Sequence, residues 1–182
     1  MKREKQIKES KEMIKSALFK LMKSKEFDEI TMSEIALEAG LVRMTLYRHF
    51  KDKEQILLYC FEDYYERALL EMKVKINPNL NDLLRFRFKM LKESPYTNLL
   101  MAHNLLNQLI QRVGLIYIQS FKGILPEIDD AYRKSFVMGG IDAMTIRWIE
   151  GGMNEPYTQI ADEVANILIM FRNKGLEVQS EA

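Results

Sequence analysis

Apolar positions along this chain step by three and four residues almost from end to end, and nowhere alternate as a half-buried strand would. Over residues 5–24 the stripe is Met13, Ile14, Ala17, Leu18 and Leu21, the spacing of an amphipathic helix. Ile35, Ala36 and Ala39 form the buried side of a second, short helix, with Ser33, Glu34 and Glu38 turned outward. Thr31 followed by Glu34 predicts a capping box at its start. Gly40 predicts its end, since a left-handed position suits a residue without Cβ. Leu41 and Val42 are expected to plug the turn onto the core. Leu46 and Phe50, four apart, bury one face of a third helix over about 43–50. That leaves Arg43, Met44, Thr45, Tyr47 and His49 facing elsewhere. Asp52, with Gln55 as reciprocal partner, caps a long fourth helix that carries Ile56, Leu57, Cys60 and Phe61 and ends near Lys75, before Pro78.

Beyond Pro78, Asn79 or Asn81 starts another helix, broken near Pro95, and a further one spans about Thr97 to Arg112. A poorly defined segment runs through 114–126. Asp129 and Asp130 open a helix to about Ile149, which Gly151 and Gly152 end. Thr158 is expected to cap the last helix, with Ile160, Val164, Ile167, Leu168 and Phe171 as its stripe. The fold class is all-α, with about nine helices. Residues 5–55 form a three-helix head, 56–175 a helical body, and 176–182 a frayed tail. Within the head, residues 31–51 read as a helix-turn-helix, whose second helix would lie in a DNA major groove.

Charge supports that division. Through Lys53 there are 13 Lys and Arg against 9 Asp and Glu, whereas the remainder has 14 against 17. A basic head on a slightly acidic body suits nucleic acid at one end only. The single Cys60 excludes an internal disulfide framework, and its apolar stripe favours a buried structural thiol over a redox sensor. No apolar run approaches ~18 residues, and the first twelve residues have no hydrophobic core of a signal peptide, so a cytoplasmic location is expected. The two histidines, His49 and His103, stand alone, without metal-ligand spacing. With no phosphate loop and no nucleophile elbow either, the chain is not read as an enzyme, and no cofactor or metal is expected.

The helix-turn-helix residues carry a specific resemblance. Thr31, Ile35 and Ala36, the Ala39-Gly40 turn, Thr45-Leu46-Tyr47 leading to Phe50, and Lys53-Glu54 resemble the DNA-binding domain of the tetracycline-repressor (TetR) family of bacterial regulators. The resemblance covers residues 10–60. It implies that Tyr47 and Lys53 contact DNA phosphates, and Thr31 has the same option through its backbone amide. Chemistry assigns the base edges: Arg43 suits guanine, Thr45 a hydrogen bond or a thymine methyl, and Met44 apolar contact. His49 reads either as a positioning, phosphate-facing residue or as a base reader. Val42 and Met44 stand where many members carry Ser and Gly, so no known operator sequence is carried over.

A recognition helix this short buries too little surface to bind tightly alone, so a homodimer on a palindromic operator is expected. The last two long helices are the candidate dimer surface, with Gly139, Ile146, Val164, Leu168 and Phe171. The family pattern further implies a small-molecule pocket in the body. Its candidate lining is Phe86, Met90, Tyr96, His103, Tyr117, Phe121 and Trp148, with Phe88, Met101 and Asn104 nearby, each of which taken singly reads more readily as plain core. Few charges fall in these segments, which favours a neutral or aromatic effector. The expected function is a DNA-binding repressor released by a small molecule. The alternative is a TetR-like helical protein that works through a protein partner without ligand-controlled DNA binding.

Overall fold

Helix α1, Lys2–Leu21, opens the computed structural model, and a one-turn 3-10 helix, Phe27–Glu29, follows it. Three further helices complete the first part of the chain: α2, Met32–Glu38; α3, Arg43–His49; and the start of α4, Lys53–Lys75. The remainder holds α5, Leu80–Glu93; α6, Thr97–Ala102; α7, Leu106–Ser120; α8, Ala131–Glu150; and α9, Tyr157–Glu177. The structure describes the backbone of residues 2–75, 79–120 and 131–177, and side chains within 3–72, 79–114, 132 and 135–170. Among the described residues all regular structure is helical. The chain divides into two compact units, Met1–Cys60 and Phe61–Ala182.

The head unit is defined by its turns. Thr31 Oγ accepts the Glu34 amide at 3.2 Å, and Glu34 Oε2 accepts the Thr31 amide at 2.8 Å, completing the expected capping box. At the other end of α2, Gly40 adopts φ +65°. The Leu41 amide then reaches the Ala36 carbonyl at 2.9 Å and the Gly40 amide reaches Leu37 at 3.0 Å, which is a Schellman closure. Asp52 Oδ1 accepts the Gln55 amide at 2.8 Å, as expected of a cap. The return bond is displaced by one residue: Gln55 accepts from the Lys51 amide, not from Asp52. Ile14, Leu18, Ile30, Ile35, Leu46, Ile56 and Leu57 are essentially fully buried and form the core of this unit.

Val42 does not plug the turn. It is 71% exposed, because as N-cap of α3 it takes an extended backbone (φ −72°, ψ 146°) that turns its side chain to solvent. Leu41 alone half-buries.

In the body unit, Asn79 and Asp82 make a reciprocal capping box for α5. The helix expected over 97–112 is two helices. His103 and Asn104 divide it: Asn104 is left-handed at φ 57°, and the Leu105 amide closes onto the Leu100 carbonyl at 2.8 Å. Asparagine tolerates this conformation through its short polar side chain. Of the segment over 114–126, residues 115–120 continue α7, and 121–126 lie outside the described residues. Gly152, at φ +83°, ends the turn after α8 as expected. The last helix starts at Tyr157, with the Pro156 carbonyl accepting the Gln159 and Ile160 amides, so Thr158 lies inside it and is not its cap. Asp129 and Asp130 fall outside the described residues.

Helix α5 packs mainly on α9, and α7 on α8. Leu83, Leu84, Phe88, Leu91, Leu109, Val113, Ile141, Ile149 and Ala161 fill the core between them. At its centre the fully buried Arg87 donates to Asp142 Oδ1 at 2.7 Å, tying α5 to α8. Burial pushes the Asp142 carboxyl above the usual carboxylate range, and the Arg87 charge opposes that rise. On the outside, Arg85 grips Asp162 through both carboxylate oxygens at 2.9–3.0 Å, tying α5 to α9.

Candidate nucleic-acid interface

Helix α3 buries one residue completely, Leu46, and turns most of the others to solvent. Arg43 and Tyr47 share one exposed row, and Met44 and Arg48 the next, each pair four residues apart. Met44 is 82% exposed and Tyr47 54%. Exposed residues this large, on a helix otherwise anchored by Leu46 and Phe50, mark a face built to be covered. Thr45 is half-buried beside them. Arg43, Met44, Thr45 and Tyr47 therefore occupy one continuous surface at the start and middle of α3.

Three other expected DNA contacts are placed differently. The Lys53 ammonium donates to the carbonyls of Phe27, Asp28 and Ile30 at 2.7, 2.9 and 3.1 Å, and lies 4.8 Å over the Phe27 ring. All three of its protons are directed at carbonyls of the turn before α2, so in this state Lys53 pins that turn. The Thr31 amide is likewise committed, to Glu34. His49 sits at the C-terminal end of α3, half-buried, with Nε2 shielded from solvent and without a hydrogen-bond partner. Burial holds its imidazole below the ordinary value, assisted by the nearby Arg48 and Lys11 charges.

Glu34 ties this frame together. Beyond the capping box, its carboxylate takes the Lys25 ammonium at 2.8 Å and the Thr31 hydroxyl at 2.7 Å. These contacts, Lys25 foremost, pull its pKa down to about 2. Lys20 and Glu38 form a second ion pair between α1 and α2. A charged, hydrogen-bonded collar thus ties α2 to α1 and to the turn before it.

Arg48 was missing from the expected set. It lies on the Met44 row and, with His49, lines a groove of about 630 Å³ against Arg3, Gln6, Ile7 and Ser10 of α1. The four-residue spacing from Met44 was the available signal.

In the body, the expected pocket residues pack on one another or on the core. Phe88 and Trp148 meet edge to face at 5.4 Å, and the Trp148 indole donates to the Glu155 carbonyl at 3.1 Å. Phe86 packs on Tyr65 and Tyr96 on Tyr64. Met90 is buried, and His103 is the half-buried C-cap of α6. The side chain of Tyr117 and the whole of Phe121 lie outside the described residues. Arg87 is a charge that was not expected in this region. Its place in the row of Leu83, Leu84, Met90 and Leu91 is legible once the helix is drawn.

Of the expected dimer residues, Val164 and Leu168 are already buried within the chain, Ile146 is half-buried and Gly139 is exposed. The Phe171 side chain lies outside the described set. Beside them Phe136, Ile169 and Met170 are 65%, 46% and 61% exposed, and an apolar groove of about 100 Å³ runs between Phe136, Gly140, Met144 and Ile167. No described helix is long and apolar enough to cross a membrane.

Comparison with known proteins converges on the head. Residues 14–60 match the family of bacterial regulatory proteins, tetR family. Over 65 residues the chain is 38% identical to the HTH-type transcriptional regulator YerO of Bacillus subtilis, covering 36% of this chain and 22% of that protein. Over 58 residues it is 38% identical to an HTH-type transcriptional regulator of Staphylococcus aureus strain USA300, covering 32% and 31%. The alignments thus span under a third of these relatives' length. Two solved structures share the fold over most of the chain. The fatty acid degradation regulator FadR from Bacillus halodurans has a TM-score of 0.54 at 17% identity, covering 87% of this chain and 93% of that one. The transcriptional regulator FadR from Bacillus subtilis, in complex with stearoyl-CoA, has a TM-score of 0.55 at 19% identity, covering 86% and 96%. Identities this low speak for the fold alone. The likeness to the tetR family of bacterial regulatory proteins thus lies in the N-terminal unit, over residues 14–60.

Proposed function

We propose that this chain is a sequence-specific DNA-binding transcriptional regulator, a homodimeric cytoplasmic repressor that a small-molecule effector releases from a palindromic operator. The observation that carries the reading is the bare face of α3, where Arg43, Met44 and Tyr47 stand exposed on a helix whose other side is anchored. Arg43 and Thr45 take base edges, Met44 gives apolar contact, and Tyr47 takes phosphate. Lys53 and Thr31 support this set by holding the turn before α2, and Lys53 reaches phosphate only if it leaves its three carbonyls.

The exposed apolar surface at Phe136, Ile169 and Met170 supports pairing of α8 and α9 with a second copy, which supplies the second reading head. In the proposed mechanism, effector binding in the body favours a conformation with lower DNA affinity, by its differential affinity for the two states. Helix α4, continuous from Lys53 to Lys75, has residues in both units and gives that change a covalent route. Stearoyl-CoA, bound by the Bacillus subtilis FadR, is the first compound to try. One observation favours a second reading, a protein partner in place of DNA: Leu37, Val42 and Met44 are 81%, 71% and 82% exposed, which is more apolar surface than phosphate contacts need.

The test is a gel shift with the DNA upstream of the chain's own gene. Competitor-resistant retardation, weakened by Arg43→Ala and Tyr47→Phe, supports the repressor. No retardation even at low salt overturns it.

A further inference from the structure

The face of α1 that closes the head's core changes character part-way along the helix. Ile14, Ala17 and Leu18 are buried on it. Continued toward the N-terminus at the same helical spacing, that face presents Ser10, Ile7, Gln6 and Arg3, where it no longer meets the core. Together with Arg48 and His49 these four line the groove of about 630 Å³.

Its chemistry is specific. Two guanidiniums point to it, one from each helix, and neither makes an ion pair with a described carboxylate. Along the same stretch, residues 3–10 carry Arg3, Lys5 and Lys8 against Glu4 and Glu9. Lys11 lies over the Phe50 and Tyr59 rings at 5.6 and 4.5 Å, beneath the same end of α3. His49 brings an imidazole nitrogen, Nε2, that is shielded from water and has no hydrogen-bond partner. A buried polar atom left so costs free energy that a ligand can recover. Among the described residues Ile7 is the sole apolar one in the lining, so the groove lacks the apolar walls that hold an organic effector. It is suited to an anion that arrives with its own scaffold. Its location names that scaffold: Arg48 shares the row of Met44, so the groove begins where the base-reading face of α3 ends.

We propose that this groove seats the sugar-phosphate backbone of the DNA just outside the bases read by α3. Arg3 and Arg48 neutralise phosphates, and Gln6, Ser10 and His49 Nε2 supply hydrogen bonds. This rests on the head being a DNA reader, and extends its footprint with a grip that carries no sequence information.

The test measures the affinity of the full chain for an operator duplex across a salt series. Removing one cation that neutralises a phosphate lowers the steepness of log K against log salt by about 0.9. Because a dimer carries each change twice, Arg3→Ala is expected to lower it by about two, and Arg3→Ala with Arg48→Ala by about four, with equal fold-losses on matched and mismatched duplexes. Gln6→Lys, which adds a cation to the same row of each head, is expected to steepen it by about two. Removing base pairs beyond the palindrome should erase the difference between wild type and double variant. Both arginines are exposed, so the variants keep the fold, and circular dichroism checks this. Unchanged slopes in a wild type that binds overturn the groove assignment and leave the DNA-reading proposal standing. Discrimination that relaxes in the Arg48 variant also overturns it, since Arg48 would then read a base. Inorganic phosphate that protects wild type but not the double variant against heat, with slopes unchanged, assigns the groove to a free anion instead. A wild type that binds no duplex overturns both proposals.

Discussion

The two units of this chain are specified over very different distances in sequence. The turns of the head are closed by bonds between residues three to five apart, Thr31 with Glu34, Ala36 with Leu41 and Asp52 with Gln55, and its longer ties, Lys20 with Glu38 and Lys53 with Phe27, span 18 and 26 residues. The body is held by pairs much further apart, Arg87 with Asp142 at 55 residues and Arg85 with Asp162 at 77. Local bonds set the shape of a small unit before it has much core to rely on. Long-range ion pairs can only follow the packing of whole helices. The head's turns are therefore set locally around α3, while the body carries the ion pair of the fully buried Arg87 at the junction of α5 and α8.

The sharpest way to break the comparison is at that pair. Arg87→Ala empties a fully buried site and leaves the partly exposed Asp142 carboxyl without its charge partner, and is expected to cost the body about 3 kcal/mol in chemical denaturation. Arg87→Met with Asp142→Leu should recover most of it. Loss of the head's transition in either variant would show that the units are not separately specified. Arg43→Ala should leave both units' stability unchanged, yet lower discrimination for the matched operator by about 1–3 kcal/mol in competition binding. Gly40→Ala meets no atom within 4 Å of the added Cβ, so only backbone strain at φ +65° acts. A loss of about 1–2 kcal/mol, confined to the head, is expected by differential scanning calorimetry.

The smallest effect is in the pH dependence. The Glu34 pKa falls from 4.5 to about 2 in the fold, so its contribution is present above 4.5 and is lost as pH falls toward 2. The melting temperature of the head should decline across that window. Glu34→Gln should flatten the decline, and an identical slope in both proteins would deny the collar its role.

The same contrast explains what could be read from residues alone. Thr31, Glu34, Gly40 and Asp52 act on their near neighbours, so both short helices of the reading motif and the long fourth helix stood out in the sequence. Val42 misled because apolarity does not say which way an N-cap side chain turns. The division at His103 and Asn104 was hidden, since either residue sits comfortably in a helix until the left-handed turn closes. The partners of Lys53 were out of reach as well: its three carbonyls lie 23 to 26 residues earlier, in a 3-10 turn with no strong signature. Arg87 and the α1 groove both depend on which helix faces which. That is knowledge of packing, not of pattern.

The division of labour within the head has an evolutionary reading. The residues that close the turns around α3 or bury its inner side (Thr31, Glu34, Gly40, Leu46, Phe50, Asp52) lie off its exposed face, so exchanges at Arg43, Met44 or Tyr47 leave those bonds and that burial in place. Substitutions at Arg43, Met44 or Tyr47 are thus nearly free of folding cost. A lineage carrying this frame can change which sequence it reads in single steps, each of them a stable protein, so its binding preference can drift while its architecture stands still.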